Sequence, residues 1–490
     1  MLAILLIAIP FIFGTASFFI RNDLFRRGLI ILGAGIHLVL TCLVWNNLEE
    51  VSPGTLFAFD DISILFLLIT SILFSGASLY CAKYLSDESS IKKEESSKLR
   101  YFSNESIFSG CFLLFLATMT IVIASQHLAL LWVGIEATTL ASAPLIYFHK
   151  TKRSLEATWK YLLICSVGIA LALFGIFFLA VANNNQQDLL LPRLIGNAAL
   201  MNVPWLKASF LLLFVGYGTK MGLAPFHTWL PDAHSEAPSA VSALLSGALL
   251  NCAFLGIIRL YQVCIAAGLQ SYCQEIFIVF GLLSLSIAAV FILGQTDYKR
   301  MLAYSSVEHM GIITLGVGLG AGAVSGALIN MLGHSLTKAG LFLVAGNILS
   351  YYRTKKISDI KGMITGRMHW QGVLWITGFL LITGTPPSGI FIGKLLILKE
   401  AVTQGHYWVA AILILALALI FVGMARIFIS MTQGSMPAKD DICANSHCGR
   451  FRLRTLVPAV FFAMAIGLGL YFPEWLSHAL DAAAQGLGGF

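Results

Sequence analysis

Long apolar runs separated by short charged loops dominate this sequence and leave few folds open to it. Of the 490 residues, 58% are hydrophobic and 11% are charged, whereas soluble proteins carry about 25% charged residues. A run of about 18 or more apolar residues is long enough to cross the hydrocarbon core of a bilayer as a helix. The sequence therefore predicts an all-α polytopic membrane protein.

About fourteen membrane-spanning helices are predicted when the sequence is divided at its polar and charged clusters. We number these predicted spans 1 to 14 in chain order. They lie near residues 2–20, 28–45, 62–84, 107–124, 127–148, 155–181, 205–224, 238–262, 275–294, 301–320, 323–350, 371–399, 406–433 and 453–472.

The distribution of basic residues gives an independent test of this division. If the N-terminus lies outside, the inside loops carry 21 of the 31 Lys and Arg residues, and the outside loops carry one, Arg193. Such an excess is typical of cytoplasmic loops. We therefore expect a multi-pass protein of the bacterial inner membrane with both termini outside. The net charge of +7 forms no basic patch, so the lipid bilayer rather than nucleic acid is the expected partner.

Four charged residues lie deepest within the predicted spans: Glu136, Lys220, Lys338 and Lys394. A charge at the bilayer centre costs about 2.5 to 3.5 kcal/mol on insertion scales, so such groups usually mark an ion or proton path. Burial favours the neutral form of both side-chain types, and a nearby opposite charge restores the ionised forms. A Glu136–Lys220 pair of changing separation would load and release a proton. The alternative is a static pair that fixes helix packing.

Two of these lysines adjoin sequences that interrupt helices. Lys220 is followed by "GLAP", and Lys394 is preceded by "GTPPSGIFIG". Interrupted membrane helices are tolerated where they line a hydrated cavity, and corresponding interruptions in two halves indicate a transport site. We therefore predict broken helices in spans 7 and 12 and an inverted repeat of spans 4–8 and 9–13. The predicted domains are 1–106, 107–262, 275–433 and 434–490, the last a cytoplasmic loop with the final helix.

Two further pairs are spaced one helical turn apart. His334 and Lys338 favour a proton-relay step over simple packing, because histidine titrates near neutrality. Glu156 and Lys160 are equally well explained as a local ion pair or as part of the path.

Three other polar sites have less specific interpretations. Glu308 and His309 lie near the charged "DYKR" segment and predict either a proton-uptake funnel or a polar helix end. Arg259 and Arg426 are expected to anchor helices near the membrane interfaces or to bind lipid headgroups.

No motif for a catalytic module is present in the sequence. There is no nucleotide-binding glycine-rich loop and no cysteine cluster typical of an iron–sulfur centre. Cys443, His447 and Cys448 in "CANSHC" lack the spacing of a zinc site, so a solvated loop is the preferred interpretation. We expect no cofactor or metal in this chain, and redox chemistry or ATP hydrolysis would have to come from other subunits.

Several motifs resemble the antiporter-like proton-translocating subunits of respiratory complex I and of membrane-bound nickel–iron hydrogenases. They are "LLWVGIEATTL", "EATWKYLLICSVG", "GTKMGLAPFHTWLPDAHSEAPSAVSALLS", "DYKRMLAYSSVEHMG", "GHSLTKAGLFLVAGN" and "GTPPSGIFIGKLLIL". They are most similar to the membrane subunits of hydrogenase-4 and formate hydrogenlyase-type complexes. The resemblance implies fourteen helices and a mid-membrane line of charges that couples redox energy to proton or sodium movement. It also implies partners: other antiporter-like membrane subunits, and soluble redox subunits holding iron–sulfur and nickel–iron or flavin groups.

The resemblance also implies a set of path residues. Glu136 matches the family's fifth-helix glutamate, Lys160 the sixth-helix lysine, Lys220 the broken seventh-helix lysine, His334 and Lys338 the eleventh-helix relay pair, and Lys394 the twelfth-helix terminal residue. Two positions depart from the pattern. Asn251 stands where several members have a lysine, and an amide can bind a water chain but cannot hold a proton. At Lys394, hydrogenase relatives often have glutamate.

Three functions remain open on sequence alone. The favoured one is an ion-translocating, non-catalytic subunit of a hydrogenase-4-like or complex I-like oxidoreductase. The second is a subunit of a multisubunit cation/proton antiporter. The third is the membrane partner of a carbon dioxide hydrating enzyme.

Overall fold

A computed structural model describes residues 1–48, 54–92, 104–184, 188–434 and 452–489. In these residues the regular structure is helical throughout, with isolated β-bridges at three positions. The "CANSHC" segment with Cys443, His447 and Cys448 lies outside them. The predicted all-α class is therefore confirmed for the part of the chain that the structure describes.

The helices follow one another with short connections. They are α1 Leu2–Phe19, α2 Asp23–Asn46, α3 Asp61–Lys92, α4 Asn104–Ala124, α5 Leu128–Ile146, α6 Lys152–Ala182, α7 Leu191–Asn197, α8 Val203–Met221, α9 Trp229–Glu236, α10 Ser239–Leu244, α11 Leu250–Ala266, α12 Gln270–Leu293, α13 Tyr298–Leu319, α14 Ala321–Tyr352, α15 His369–Thr383, α16 Gly389–Thr403, α17 Tyr407–Thr432, α18 Arg452–Leu470 and α19 Glu474–Gln485. A π-helical turn, Leu245–Leu249, joins α10 to α11 in one continuous helix.

Each predicted span coincides with a helix or with a pair of helices. By length and composition, 11 helices in the described ranges are apolar enough to cross a membrane. The other three predicted spans fall on α8, on α13 and on the α15–α16 pair. The count of fourteen crossings therefore stays a prediction. The short helices α7, α9 and α19 were not predicted.

Both predicted helix breaks are confirmed, and they share one geometry. The helix α8 ends at Met221 and α15 ends at Thr383, each followed by a glycine in the left-handed conformation: Gly222 with φ 82° and Gly384 with φ 81°. The N–H after each glycine donates to a carbonyl five residues earlier. This is the Schellman ending, which glycine permits at no steric cost. Prolines follow within three residues and prevent the helix from resuming at once.

Close glycine contacts recur in the two halves of the chain. A Cβ atom on Gly216 of α8 would lie 2.5 Å from the Gly168 carbonyl oxygen of α6, and one on Gly393 of α16 would lie 2.6 Å from the Gly326 carbonyl oxygen of α14. Small residues at such positions allow membrane helices to pack backbone to backbone. The broken helix of each half thus packs closely against the helix before it in the predicted repeat, α8 against α6 and α16 against α14.

The polar side chains are concentrated on helices that are enclosed on all sides. Nearly every residue of α11, α13 and α14 is buried, whereas α1, α2, α6 and α17 leave apolar faces exposed. An exposed apolar face suits contact with lipid chains. The enclosed helices can therefore carry polar groups that lipid-facing helices cannot.

Candidate functional site

A band of buried polar side chains connects the central helices of the two halves. Its charged members include Lys220 and Lys338, each with no exposed surface, Glu308 with 1% and Lys394 with 7% exposed. A buried charge is costly unless it is paired or hydrogen-bonded, so each charged residue of the band needs such partners.

Lys220 lies in the last turn of α8, directly before the first helix break. Its Nζ donates hydrogen bonds to Thr139 Oγ1 at 2.7 Å and to the Tyr161 hydroxyl at 2.6 Å. The Tyr161 hydroxyl in turn lies 2.7 Å from Ser142 Oγ. The negative end of the helix dipole favours a cation at this position. Lys220 is therefore held by neutral hydroxyls rather than by a carboxylate.

Glu136 is half-buried on α5 and is not in ion-pair contact with Lys220. Instead, Thr139 Oγ1 lies between them, 3.4 Å from Glu136 Oε2. The predicted Glu136–Lys220 pair is thus separated and bridged by a hydroxyl. The sequence interpretation missed Thr139, although its position one turn after Glu136 places both residues on the same helix face.

Lys160 lies on the lateral surface of α6 and not in the buried band. Its side chain is 44% exposed and pairs with Glu156 at 2.7 Å and with Asp232 of α9 at 3.0 Å. Asp232 also pairs with Arg300 at 3.1 Å. The local Glu156–Lys160 pair is present, and the structure extends it into a charged network that the sequence did not indicate.

Asn251 connects the two halves just after the π-helical turn. Its Nδ2 donates to the Gly247 carbonyl oxygen and to Ser335 Oγ of α14, each at 2.8 Å. Such π turns often occur at functional sites, because they re-aim the side chains that follow. Ser335 is adjacent to His334, so Asn251 leads directly to the predicted relay helix.

The predicted relay residues His334 and Lys338 are both fully buried on α14. Lys338 Nζ donates to the Leu302 carbonyl oxygen and to Ser305 Oγ of α13. The His334 ring lies 4.7 Å, centroid to centroid, from the ring of His309. The two residues therefore reach α13 by different contacts rather than contacting one common group.

Lys394 forms an ion pair with Glu308, with Nζ and Oε1 separated by 3.0 Å. Lys394 also donates to the Thr383 carbonyl oxygen at 3.3 Å, at the end of α15 where the second break begins. The interpretation of Glu308 as a polar helix end is wrong, and a role in proton uptake stays a prediction. The residue lies in the middle of α13 and is enclosed, because α13 is buried along its length.

Several buried polar atoms in this band have no hydrogen-bond partner among the described residues. They are Asn251 Oδ1, Glu308 Oε2, His309 Nδ1, both ring nitrogens of His334 and both amide atoms of Asn330. Buried polar groups in proteins are nearly always hydrogen-bonded, and ordered water commonly satisfies those that lack protein partners. Water bound at these atoms would form a hydrogen-bonded chain between Asn251 and Lys394.

Arg259 is enclosed by protein and does not face lipid headgroups, so this part of the sequence interpretation is wrong. It is fully buried and pairs through Nη2 with Asp60 Oδ1 at 2.8 Å. Burial raises the pKa of the Asp60 carboxyl, but the charge and hydrogen bonds of Arg259 outweigh this effect, and with hydrogen bonds from Ser63 they lower it to about 2. The pair joins the loop before α3 to α11.

The described residues contain no group of three or more His, Cys, Asp or Glu side chains that could hold a metal ion. The carboxyl, amine, imidazole and hydroxyl groups of the band can exchange protons with one another or with water.

Comparison with known proteins gives one matching family model, described as the membrane region of NADH:quinone oxidoreductase and Mrp antiporter subunits, over residues 125–420. This range covers the band from Glu136 to Lys394. Among curated proteins, the hydrogenase-4 component F homolog of Methylacidiphilum infernorum is 32% identical over 444 residues, which cover 87% of this chain and 88% of the relative.

Solved structures with the same fold include chains of two respiratory complexes. A chain of an archaeal membrane-bound sulfane sulfur reductase superimposes with a TM-score of 0.82 at 20% identity, covering 99% of this chain and 98% of that chain. A chain of respiratory complex I from Thermus thermophilus gives a TM-score of 0.79 at 22% identity, covering 100% of both chains.

Proposed function

The chain belongs to the NADH:quinone oxidoreductase/Mrp antiporter family of membrane subunits, and we propose that it moves protons across the membrane as part of a hydrogenase-4-like redox complex. The chain itself is non-catalytic in this proposal. Electron transfer in partner subunits supplies the free energy, and the chain supplies the path.

The observation that carries the proposal is the buried band between the two helix breaks. Lys220 lies immediately before the first break, and Lys394 contacts the carbonyl at the second. Between them, Asn251 and α14 provide polar groups whose free atoms suit water. A proton moves along such a chain because a change in the charge of one group changes how strongly the next group holds its proton.

Each path residue has a proposed role that follows from its contacts. Glu136 receives or releases the proton of Lys220 through Thr139. Asn251 orders water and does not hold the proton itself. His334 and Lys338 relay it along α14, and Lys394 is the terminal site. Lys160 takes part at the rim, where Asp232 and Arg300 complete the exposed network.

The complex proposed for this chain follows from its hydrogenase-related relative. Its partners are other antiporter-like membrane subunits and soluble redox subunits, and the iron–sulfur and nickel–iron or flavin groups lie in those partners. We place the complex in the bacterial inner membrane with both termini of this chain outside. The four predicted domains, with repeats at 107–262 and 275–433, are part of the same proposal.

A second candidate is a subunit of a cation/proton antiporter, which the family description also includes. The same band would then exchange ions without redox partners. The third candidate, a membrane partner of a carbon dioxide hydrating enzyme, uses the same path with a soluble partner that binds zinc.

The first experiment is to purify the chain through an affinity tag in mild detergent and to identify the co-purifying proteins by mass spectrometry. Nickel–iron or iron–sulfur subunits are expected. Small antiporter subunits alone, or one soluble zinc protein, would contradict the redox proposal and support the second or the third candidate.

The path itself is tested by proton flux into liposomes that contain the purified complex, with a pH-sensitive dye inside and a potassium diffusion potential imposed. We expect Lys220→Ala, Glu136→Gln and Lys394→Ala each to abolish the flux without loss of assembly. Lys207→Ala is the matched control, because Lys207 lies near the other end of α8 and contacts Tyr272 instead. Normal flux in all three variants would show that these charges are structural.

A further inference from the structure

The second half of the chain contains a buried carboxylate that the family motifs do not assign. Glu308 of α13 is 1% exposed and pairs with Lys394 at 3.0 Å. The helix α13 and the broken α15–α16 helix that carry this pair correspond, in the inverted repeat, to α5 and the broken α8–α9 helix, which carry Glu136 and Lys220. Each half therefore brings one glutamate and one lysine to its broken helix.

The two pairs are found in different states. In the first half, the hydroxyl of Thr139 separates Glu136 from Lys220. In the second half, Lys394 Nζ contacts Glu308 Oε1 directly. One chain thus displays both arrangements that a switch pair requires, a separated one and a closed one.

The surroundings of Glu308 suit proton exchange rather than packing. One carboxylate oxygen contacts Lys394 and lies 4.0 Å from His309 Nε2. The other, Oε2, is buried and has no hydrogen-bond partner among the described residues. A carboxylate oxygen can accept two hydrogen bonds, and ordered water commonly satisfies buried polar atoms that lack protein partners.

A purely structural role is a poor explanation for this pair. A buried ion pair contributes little net stability, because desolvation of both charges offsets their attraction, and apolar residues of similar size often serve as well or better. The pair also lies beside the broken helix, where Lys394 additionally contacts the freed Thr383 carbonyl. Its position at the end of the band points to use in transport.

We propose that Glu308 is a second proton-exchanging carboxylate and that it passes protons to and from Lys394 at the terminal step of the path. The inference rests on the proposed transport function. It also explains the departure at position 394, since a lysine there is balanced by the carboxylate of Glu308. The proton exchanges between Glu308 Oε1 and Lys394 Nζ, and Oε2 exchanges it with water.

The test uses Glu308→Gln in the liposome flux assay. The amide keeps the size of the side chain but cannot hold the proton, so we expect flux to fall about 100-fold, the contribution typical of a positioned proton-transferring group. Glu400→Gln is the matched control, because Glu400 lies on α16 but accepts a hydrogen bond from Gln404 Nε2, at 2.9 Å, instead of pairing with Lys394. Glu308→Asp, which keeps a carboxyl group, should recover part of the flux.

Normal flux in Glu308→Gln would overturn the inference. It would also be overturned if Glu308→Asp assembled correctly and its flux were as low as that of Glu308→Gln. If Glu308→Gln does not assemble, infrared difference spectra of the parent complex and of Glu308→Asp decide the question. A carboxyl band that appears on changing the driving potential and shifts in Glu308→Asp supports the inference, and no such shift overturns it. Loss of flux in Lys220→Ala together with normal flux in Glu308→Gln would reject this inference alone, whereas absence of flux in the parent complex would reject the transport function.

Discussion

Replacing Thr139 with valine should slow proton movement while leaving the fold intact. The hydroxyl accepts a 2.7 Å hydrogen bond from Lys220 and lies 3.4 Å from Glu136, so it is the connection between them. A hydrogen bond to a charged group contributes about 1.5 to 3 kcal/mol. Because about 1.4 kcal/mol corresponds to a tenfold change in rate, the flux should fall roughly 10- to 100-fold.

Thr138→Val provides the control for this prediction. Thr138 is the preceding residue on α5, is equally buried, and donates to the Ile135 carbonyl oxygen at 2.6 Å instead of contacting Lys220. Both variants are compared in the same liposome assay at equal amounts of assembled complex. Equal flux in the two variants would refute the idea that the Thr139 hydroxyl links Glu136 to Lys220.

Two further predictions concern stability. Gly216→Ala should lower the thermal stability of the purified complex, because the new Cβ would lie 2.5 Å from the Gly168 carbonyl oxygen and overpacking costs about 1 to 3 kcal/mol. Gly35→Ala is the control and should leave the stability unchanged, because its Cβ meets nothing within 4 Å. Equal melting temperatures of the two variants would contradict this prediction. Asp60→Asn should destabilise the chain by about 3 kcal/mol, because Arg259 would remain buried without its partner. In the parent, the lowered pKa means that the stabilisation is complete above the ordinary carboxyl pKa and is lost only as the pH falls through about 2, which thermal unfolding at a series of pH values would check.

Much of the fold could be predicted from sequence because membrane helices must satisfy their own backbone hydrogen bonds. Hydropathy therefore located the helices, and the Gly and Pro residues near 222 and 384 located both breaks. The short helices α7 and α19 could not be found in this way. They are too short to form an apolar run of membrane length, and α19 buries only one side, through Leu476 and Leu480.

The site was predicted less completely, because charge is visible in a sequence but pairing is not. The buried positions of Lys220 and Lys338 followed from the cost of placing charges in apolar runs. Their partners did not follow, since Thr139 and Ser305 are ordinary residues of membrane helices whose importance depends on which helix lies opposite. Glu308 was misjudged for the same reason: the nearby basic loop suggested an exposed helix end, whereas packing encloses it.

The two halves match in backbone but differ in the placement of charge, and this difference bears on direction. The breaks align at Gly222 and Gly384, yet Lys220 lies two residues before its glycine and Lys394 ten residues after. A strictly symmetric inverted repeat would treat the two sides of the membrane alike. Here the first lysine is held by hydroxyls and the second by a carboxylate. The repeat thus supplies two similar breaks, and the divergence of their side chains supplies the asymmetry that directed transport requires.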